Sequence, residues 1–543
     1  MNGSGPGSPK PSTDPAPCGS ESHPVLHEAA TLWELVERRA KATPDRPFLL
    51  DEERRFCFGE ITDWAERVAA GYLALGIGAG TRVTWQLTTR VESIVVSLAL
   101  ARLGAVQNPV IPFYREREVG FCLDQTRAQY YICPGTWKGF DFAEMAATVI
   151  AKTPRERAPR VLEAYDRLPE GDPATLPPPP SDGDEVRWLY YTSGTTSDPK
   201  GVCHTDRTLV AGAHGLAVAL EMADPDVGSL TVPFAHIAGP DYIIALLLTG
   251  LSVVVVEHFE PASAIPLFER LGVSLVGGST AFYNLFLAEQ RKQPGRRIIP
   301  TLRVVAGGGA PKPPELFDLV RDELGAVLCH GYGMTEAPMI AQGGPGHSPE
   351  QLANSDGAPV VGMEIRIVAS DGTPAAPGEE GEITVRGPML FKGYTNPALN
   401  EVSFDKDGFY RTGDLGRMRP DGHITVTGRL KDVIIRKGEN ISAQEVEELL
   451  FGHPKIADVA VVGIPDDERG ERVCAVVERA AGQPALTFDE MASHLRGLGL
   501  MAQKIPEQLE VVDALPRSET LRKVLKYKLR ERYEAAPWSP PSR

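Results

Sequence analysis

Cysteine is sparse in this 543-residue chain: Cys18, Cys57, Cys122, Cys133, Cys203, Cys329 and Cys474 are scattered along it. The number is odd and no pair has CxxC spacing, so neither a disulfide framework nor a thiolate zinc site is indicated; a reducing, cytoplasmic setting is expected. Long apolar runs are lacking too. The greasiest stretch, 242–256, is broken by Thr249, Gly250 and Ser252, and it is shorter than the roughly 20 residues that span a bilayer. It reads as a buried helix running into a buried strand, without stable membrane insertion. Positive charge is in deficit, with 56 Lys and Arg against 72 Asp and Glu and a net charge of -16. Such a surface repels a nucleic-acid backbone and argues against a nucleic-acid binder. The first 25 residues are rich in Gly, Pro and Ser and lack the basic start and apolar core of a secretory signal, so a disordered tail is expected there.

What is present is an ordinary globular composition, 42% hydrophobic and 24% charged, in a chain too long for one core. Amphipathic helices at 31–43 and 58–75 precede short apolar strands alternating with helices up to about residue 332. That alternation is the signature of βαβ units and a parallel sheet. Beyond Asp356 the texture changes to short strands and Gly/Asp/Pro turns, predicting a small β-rich subdomain. From Lys431 the pattern fits a separate α+β unit of about 110 residues. The expected organisation is therefore α/β: a tail at 1–25, a large N-terminal domain at 26–430, and a small α+β C-terminal domain at 431–543.

The most informative stretch is 190–201, YYTSGTTSDPKG. An apolar strand runs into Thr192, Ser193, Gly194, Thr195, Thr196 and Ser197, then Pro199, Lys200 and Gly201. Inward-pointing backbone N–H groups, short hydroxyls and one cation are what a polyphosphate needs. The order Pro-Lys-Gly is not that of a Walker loop. Alone, such composition would be a solvated surface loop.

Five other stretches stand out. In HGYGMTE, residues 330–336, glycines flank a tyrosine that can lie against a planar base, and Glu336 offers a hard oxygen ligand for Mg²⁺. Gly307, Gly308 and Gly309, followed by Ala310 and Pro311, permit close backbone approach. Asp414, after a tight turn in YRTGD, suits a ribose diol. The charged segment 428–440 and the basic run 521–530 read, on composition alone, as a surface strand and a solvated helix.

Taken in order, these motifs (YTSGTT..PKG, GYGMTE, YRTGD, GR.KD..I..GEN.S..E.E and the terminal lysine segment) resemble the adenylate-forming superfamily of acyl- and aryl-CoA synthetases, luciferases and adenylation domains. The resemblance covers 31–533. It implies a two-step reaction: a carboxylate attacks the α-phosphate of Mg·ATP to give acyl-AMP and pyrophosphate, and coenzyme A then displaces AMP. It further implies that Thr192, Ser193, Gly194, Thr195, Thr196 and Lys200 hold the β- and γ-phosphates. Gly309, Ala310, Pro311 and Tyr332 would frame adenine, Thr335 would meet the α-phosphate, Glu336 would hold Mg²⁺, and Asp414 and Arg429 would take the ribose. Lys523 would contact the carboxylate and α-phosphate. The C-terminal domain would turn about Lys431 after the first step, bringing Gly438 and Glu439 to the coenzyme A channel.

Two departures stand out. Ser197 replaces a usual glycine, and Arg522 occupies the glycine position before Lys523, which keeps Arg522 and Lys526 open as alternatives for the phosphate contact. By the same resemblance, His236, Thr280, Phe282, Tyr283, Gly307, Gly331 and Met334 would line the acyl pocket. Ala235 stands where amino-acid-activating members carry an aspartate, which disfavours an amino acid, although Asp241 nearby keeps one open. A medium-chain, alicyclic or aryl acid is expected, as in ligases for medium-chain and cyclohexane-type acids. Loading of a separate carrier protein and a non-catalytic nucleotide-binding regulator are the competing readings, and a homodimer is left open.

Overall fold

The computed structural model describes residues 28–152, 158–165, 167–192, 199–436, 439–466, 469–518 and 522–535. Its centre is a nine-stranded sheet in which Leu275–Gly278, Val304–Gly308 and Val327–Met334 run parallel and adjacent. Their Val- and Leu-rich halves are buried on both faces, as a helix-covered parallel sheet requires. All three end in glycine or in a glycine-rich stretch at the same edge.

A second sheet of six strands begins with a hairpin, Val186–Thr192 paired antiparallel with Lys200–Thr205. The second strand of that hairpin carries no clear signature of its own in the sequence. Gly201 to Thr205 alternates too weakly in polarity to announce a strand, and its pairing with 186–192 decides the matter. The helix that follows, Asp206–Ala219, is capped by the Thr205 hydroxyl, which accepts from Thr208 N. It packs against Ala238–Thr249, the apolar helix that ends at Gly250 in the left-handed conformation and leads into the buried strand Ser252–Val255.

A four-stranded antiparallel sheet formed by Glu364–Val368, Glu380–Arg386, Tyr410–Met418 and Ile424–Arg429 is the β-rich subdomain. A single 3-10 turn, Leu430–Asp432, joins it to a five-stranded sheet with its own core of Ile434, Val446, Val461, Val473 and Leu495. The architecture is thus mixed α/β with a large N-terminal and a small C-terminal part.

The basic run at the end is not merely a solvated helix. The helix is Lys526–Glu534, and it buries Leu529 and Tyr533 against Val462 and Cys474. Its charges are also spoken for: Lys526 Nζ lies 2.7 Å from Glu447, and Arg530 Nη2 lies 3.0 Å from Asp432. The helical segment before Val327–Met334 is α-helical over Glu315–Leu319 and π-helical over Val320–Leu324. Among the described residues no helix is long and apolar enough to cross a membrane.

Candidate active site

The site is built where the three parallel strands end. A Cβ on Gly307, whose φ is +140°, would overlap the Gly278 carbonyl, and one on Gly308 would overlap that of Gly331. Strand packing alone therefore accounts for Gly307. Next comes Gly309 at φ +81°, opening a loop that Thr280 holds by donating its hydroxyl to Pro311 O at 2.8 Å. Lys312 is buried beneath that loop and donates to Ala353 O at 2.5 Å.

Lys523 arrives at this loop from the other end of the chain. Its Cε and Nζ stand 3.3 and 3.4 Å from where a Cβ on Gly309 would be. The segment that presents it is pinned by Ser518, whose hydroxyl accepts Lys523 N at 3.0 Å and whose N–H donates to Lys523 O at 2.7 Å. Burial and the Arg429 charge lower the Lys523 pKa to about 8, partly offset by Asp414. The two rival cations are elsewhere: Lys526 is paired with Glu447. Arg522 is exposed, with φ +54°, a left-handed conformation that glycine adopts at lower cost. The glycine usual at that position in the superfamily thus has a backbone reason.

Beside Lys523 lies a second cluster. Asp414 is buried; its Oδ2 accepts from the Tyr332 hydroxyl at 2.7 Å, and Arg429 Nε stands 3.1 Å from its Oδ1. Asp414 and Arg429 face each other across the 410–418 and 424–429 strands. Burial and the Asp414 charge drive the Tyr332 phenol far above its ordinary pKa, so it stays a donor.

A third cluster holds Glu336 and Lys200. Glu336 is buried, and its Oε1 accepts from Tyr394 at 2.7 Å; the Tyr394 hydroxyl lies 3.0 Å from that of Tyr410. Lys200 Nζ sits over the Tyr394 ring, 5.2 Å from its centroid. Thr335 is fixed through its carbonyl, which lies 2.7 Å from His204 Nε2, while His204 Nδ1 is 2.9 Å from the Thr208 hydroxyl. Burial lowers His204 to about 4, so the ring is neutral at pH 7, with Nε2 as the donor to the carbonyl. Tyr394 and His204 had no assigned part in the sequence reading. His204 falls next to the PKG motif, but Tyr394 lies in a stretch without any motif.

The residues expected at the acyl end are more dispersed. His236 is lowered to about 4 by burial and by Lys523, and its Nδ1 accepts Ala238 N at 3.2 Å. Phe282 is buried among aromatic rings, 5.3 Å from Phe259. Tyr283 is buried edge-on to His330. Gly331 and Met334 lie on the 327–334 strand, paired with Gln342 and Ala337. Lys431 lies in the 430–432 turn and the backbone of Glu439 in the strand Glu439–Ser442. Ser193, Gly194, Thr195, Thr196, Ser197 and Gly438 are outside the described residues, while Thr192 pairs with Lys200 at the mouth of the hairpin.

Asp241 is 2% exposed and its Oδ1 has no hydrogen-bond partner among the described residues; burial raises it to about 8, so it is a neutral acid at pH 7. An acid whose folded pKa exceeds its unfolded value costs stability as pH rises between the two. Asp241→Asn is therefore expected to raise the thermal midpoint, with a gain that grows from about pH 4 to pH 8. A gain that does not change with pH in thermal unfolding would contradict the assignment.

The AMP-binding enzyme family matches residues 36–395, and the AMP-binding enzyme C-terminal domain matches residues 445–521. A salicyl-AMP ligase / salicyl-S-ArCP synthetase of Mycobacterium tuberculosis is 34% identical over 90% of this chain and 88% of its own length. A medium-chain fatty-acid–CoA ligase of Escherichia coli is 31% identical over 92% and 90%. Among solved structures, an o-succinylbenzoate coenzyme A synthetase of Bacillus subtilis in complex with ATP and magnesium superposes with a TM-score of 0.80 at 28% identity, covering 91% of this chain and 98% of that one.

Proposed function

The chain belongs to the AMP-binding enzyme family, the adenylate-forming acid ligases, and from that premise we propose that it is an AMP-forming acyl-CoA synthetase. The observation that carries this reading is the entry of Lys523 into the glycine loop of the large domain, beside Asp414, Arg429 and His236. A partly buried ammonium next to a neutral imidazole and a glycine-lined backbone suits a centre where a carboxylate meets a phosphate.

In the first step the acid's oxygen attacks the α-phosphorus of ATP, the bond to the β-phosphate bridge breaks, and pyrophosphate leaves. Lys523 neutralises the incoming carboxylate and the α-phosphate, so positioning and charge supply the catalysis. Asp414, its second oxygen fixed by Arg429, accepts the ribose hydroxyls; Lys200 faces the outer phosphates. Glu336 fits Mg²⁺: it is a buried carboxylate whose only hydrogen-bond partner among the described residues is the Tyr394 hydroxyl. One carboxylate completed by phosphate oxygens and water is a usual way to hold this ion, which offsets the phosphate charge when bound. In the second step the thiol of coenzyme A attacks the acyl carbon, AMP leaves, and the thiol proton goes to solvent.

The acid is a medium-chain, alicyclic or aryl one. Ala235, a neutral His236 and a protonated Asp241 leave no anion ready for an amino acid's ammonium. A second reading, transfer to a carrier protein, is favoured by the 34% identity to a relative named for loading one. Pyrophosphate release across aliphatic, cyclic, aryl and amino acids, with and without coenzyme A, separates the two. Release that rises with coenzyme A and one acid class supports the synthetase, and acid-dependent release indifferent to coenzyme A overturns it in favour of carrier loading.

A further inference from the structure

The C-terminal domain is joined to the large domain by one turn of chain, Leu430–Asp432, yet Lys523 Cε and Nζ stand 3.3 and 3.4 Å from where a Cβ on Gly309 would be. Something outside the turn must hold that orientation. The strand Ile424–Arg429 is an edge strand of its four-stranded sheet, so among the described residues one side of its backbone has no neighbouring strand. Side chains from the start of the C-terminal helix Ala443–Phe451 fill the place of that strand. Gln444 Nε2 donates to Val426 O at 2.9 Å, and Ser442 Oγ donates to Thr427 O at 2.8 Å. On the large-domain side, Val426 N donates to Asp356 Oδ2 at 2.8 Å, so residue 426 is held from both directions. Gln444 is itself braced, giving its amide also to Glu448 Oε1 at 2.9 Å.

We propose that Gln444 and Ser442 form a latch that holds the C-terminal domain in the orientation seating Lys523, and so set the balance between the two half-reactions; this rests on the two-step reading above. Both are positioning residues, since neither touches the glycine loop. Rotation about 430–432 exchanges their two bonds for bonds to water. The net value of one such bond shifts the seated-to-unseated ratio by about five-fold. Gln444 is the cleaner of the two, because Ser442 also caps its helix by accepting Glu445 N at 3.3 Å.

The test uses Gln444→Ala in the full chain with two readouts. One is the distance distribution between spin labels on the exposed Lys41 and Ser493 in protein free of acid and ATP. The other is the ratio of acid-dependent ATP–pyrophosphate exchange to thioester formation from supplied acyl-AMP. The latch predicts a larger population away from the seated distance, and a ratio moved about five-fold toward thioester formation. Ser442→Ala shifts the distances in the same direction with an added loss of thermal stability. An unchanged distance distribution, or equal loss of both half-reactions, overturns the latch. The distances report on the latch even if no acid is ever adenylated, so its failure is distinct from failure of the synthetase reading.

Discussion

Lys523→Ala lowers acid-dependent acyl-AMP formation by roughly 10²- to 10³-fold while leaving conversion of supplied acyl-AMP and coenzyme A to thioester within a few-fold of wild type. The size follows from removing a preorganised charge from a desolvated centre. The asymmetry follows from the two-step proposal, in which Lys523 is withdrawn before the thiol attacks. The other cations of the basic run are placed differently: Lys526 and Arg530 are committed to Glu447 and Asp432, and Arg522 and Lys528 are exposed. The lysine's pKa adds a pH signature. Lowered from 10.5 to about 8, the seated ammonium costs stability that is absent above the unfolded value and grows as pH falls toward about 8. Because the charged form does the work, kcat/KM for adenylation falls as pH rises through about 8. Lys523→Arg moves that alkaline limb upward, since a guanidinium does not titrate there. Stopped assays of each half-reaction check all three statements, and equal loss of both in folded Lys523→Ala refutes the role.

Glu336→Gln is the second large effect, a loss of roughly 10²-fold in adenylation at low magnesium that is partly recovered as magnesium is raised. The substitution is isosteric, and the amide oxygen still accepts the Tyr394 hydroxyl, so the Tyr394–Tyr410 pair keeps its geometry. Only the negative charge is removed. Pyrophosphate exchange titrated with magnesium should therefore show a raised half-saturation point in a protein with an unchanged thermal midpoint. A parallel fall at every magnesium concentration would assign Glu336 a structural role instead.

The α/β class, and the change of texture after Asp356, were legible because period and turn residues record them locally. Some of the candidate site was legible as residue types: Tyr332, Asp414 and Arg429 could be named from motifs, though their meeting through one carboxylate depends on folding. Other parts were not legible, for identifiable reasons. Tyr394 acts through Glu336 and Lys200, and His204 through the carbonyl of Thr335, so each role is set by a partner far along the chain. The 200–205 strand owes its form to its neighbour rather than to its own pattern. In the Lys526–Glu534 helix, two buried residues, Leu529 and Tyr533, are outnumbered by charges that find partners only in the folded domain. Arg522 shows the reverse: a side chain that looks like a phosphate ligand sits where the backbone, at φ +54°, favours glycine.

The most direct measurement is the fate of oxygen from the acid. With both carboxylate oxygens of an accepted acid labelled with ¹⁸O, a single turnover with ATP and coenzyme A should leave one label in AMP and one in the thioester carbonyl, with none in pyrophosphate. Label in pyrophosphate or in inorganic phosphate, or thioester formed with unlabelled AMP, would contradict attack of the carboxylate on the α-phosphate.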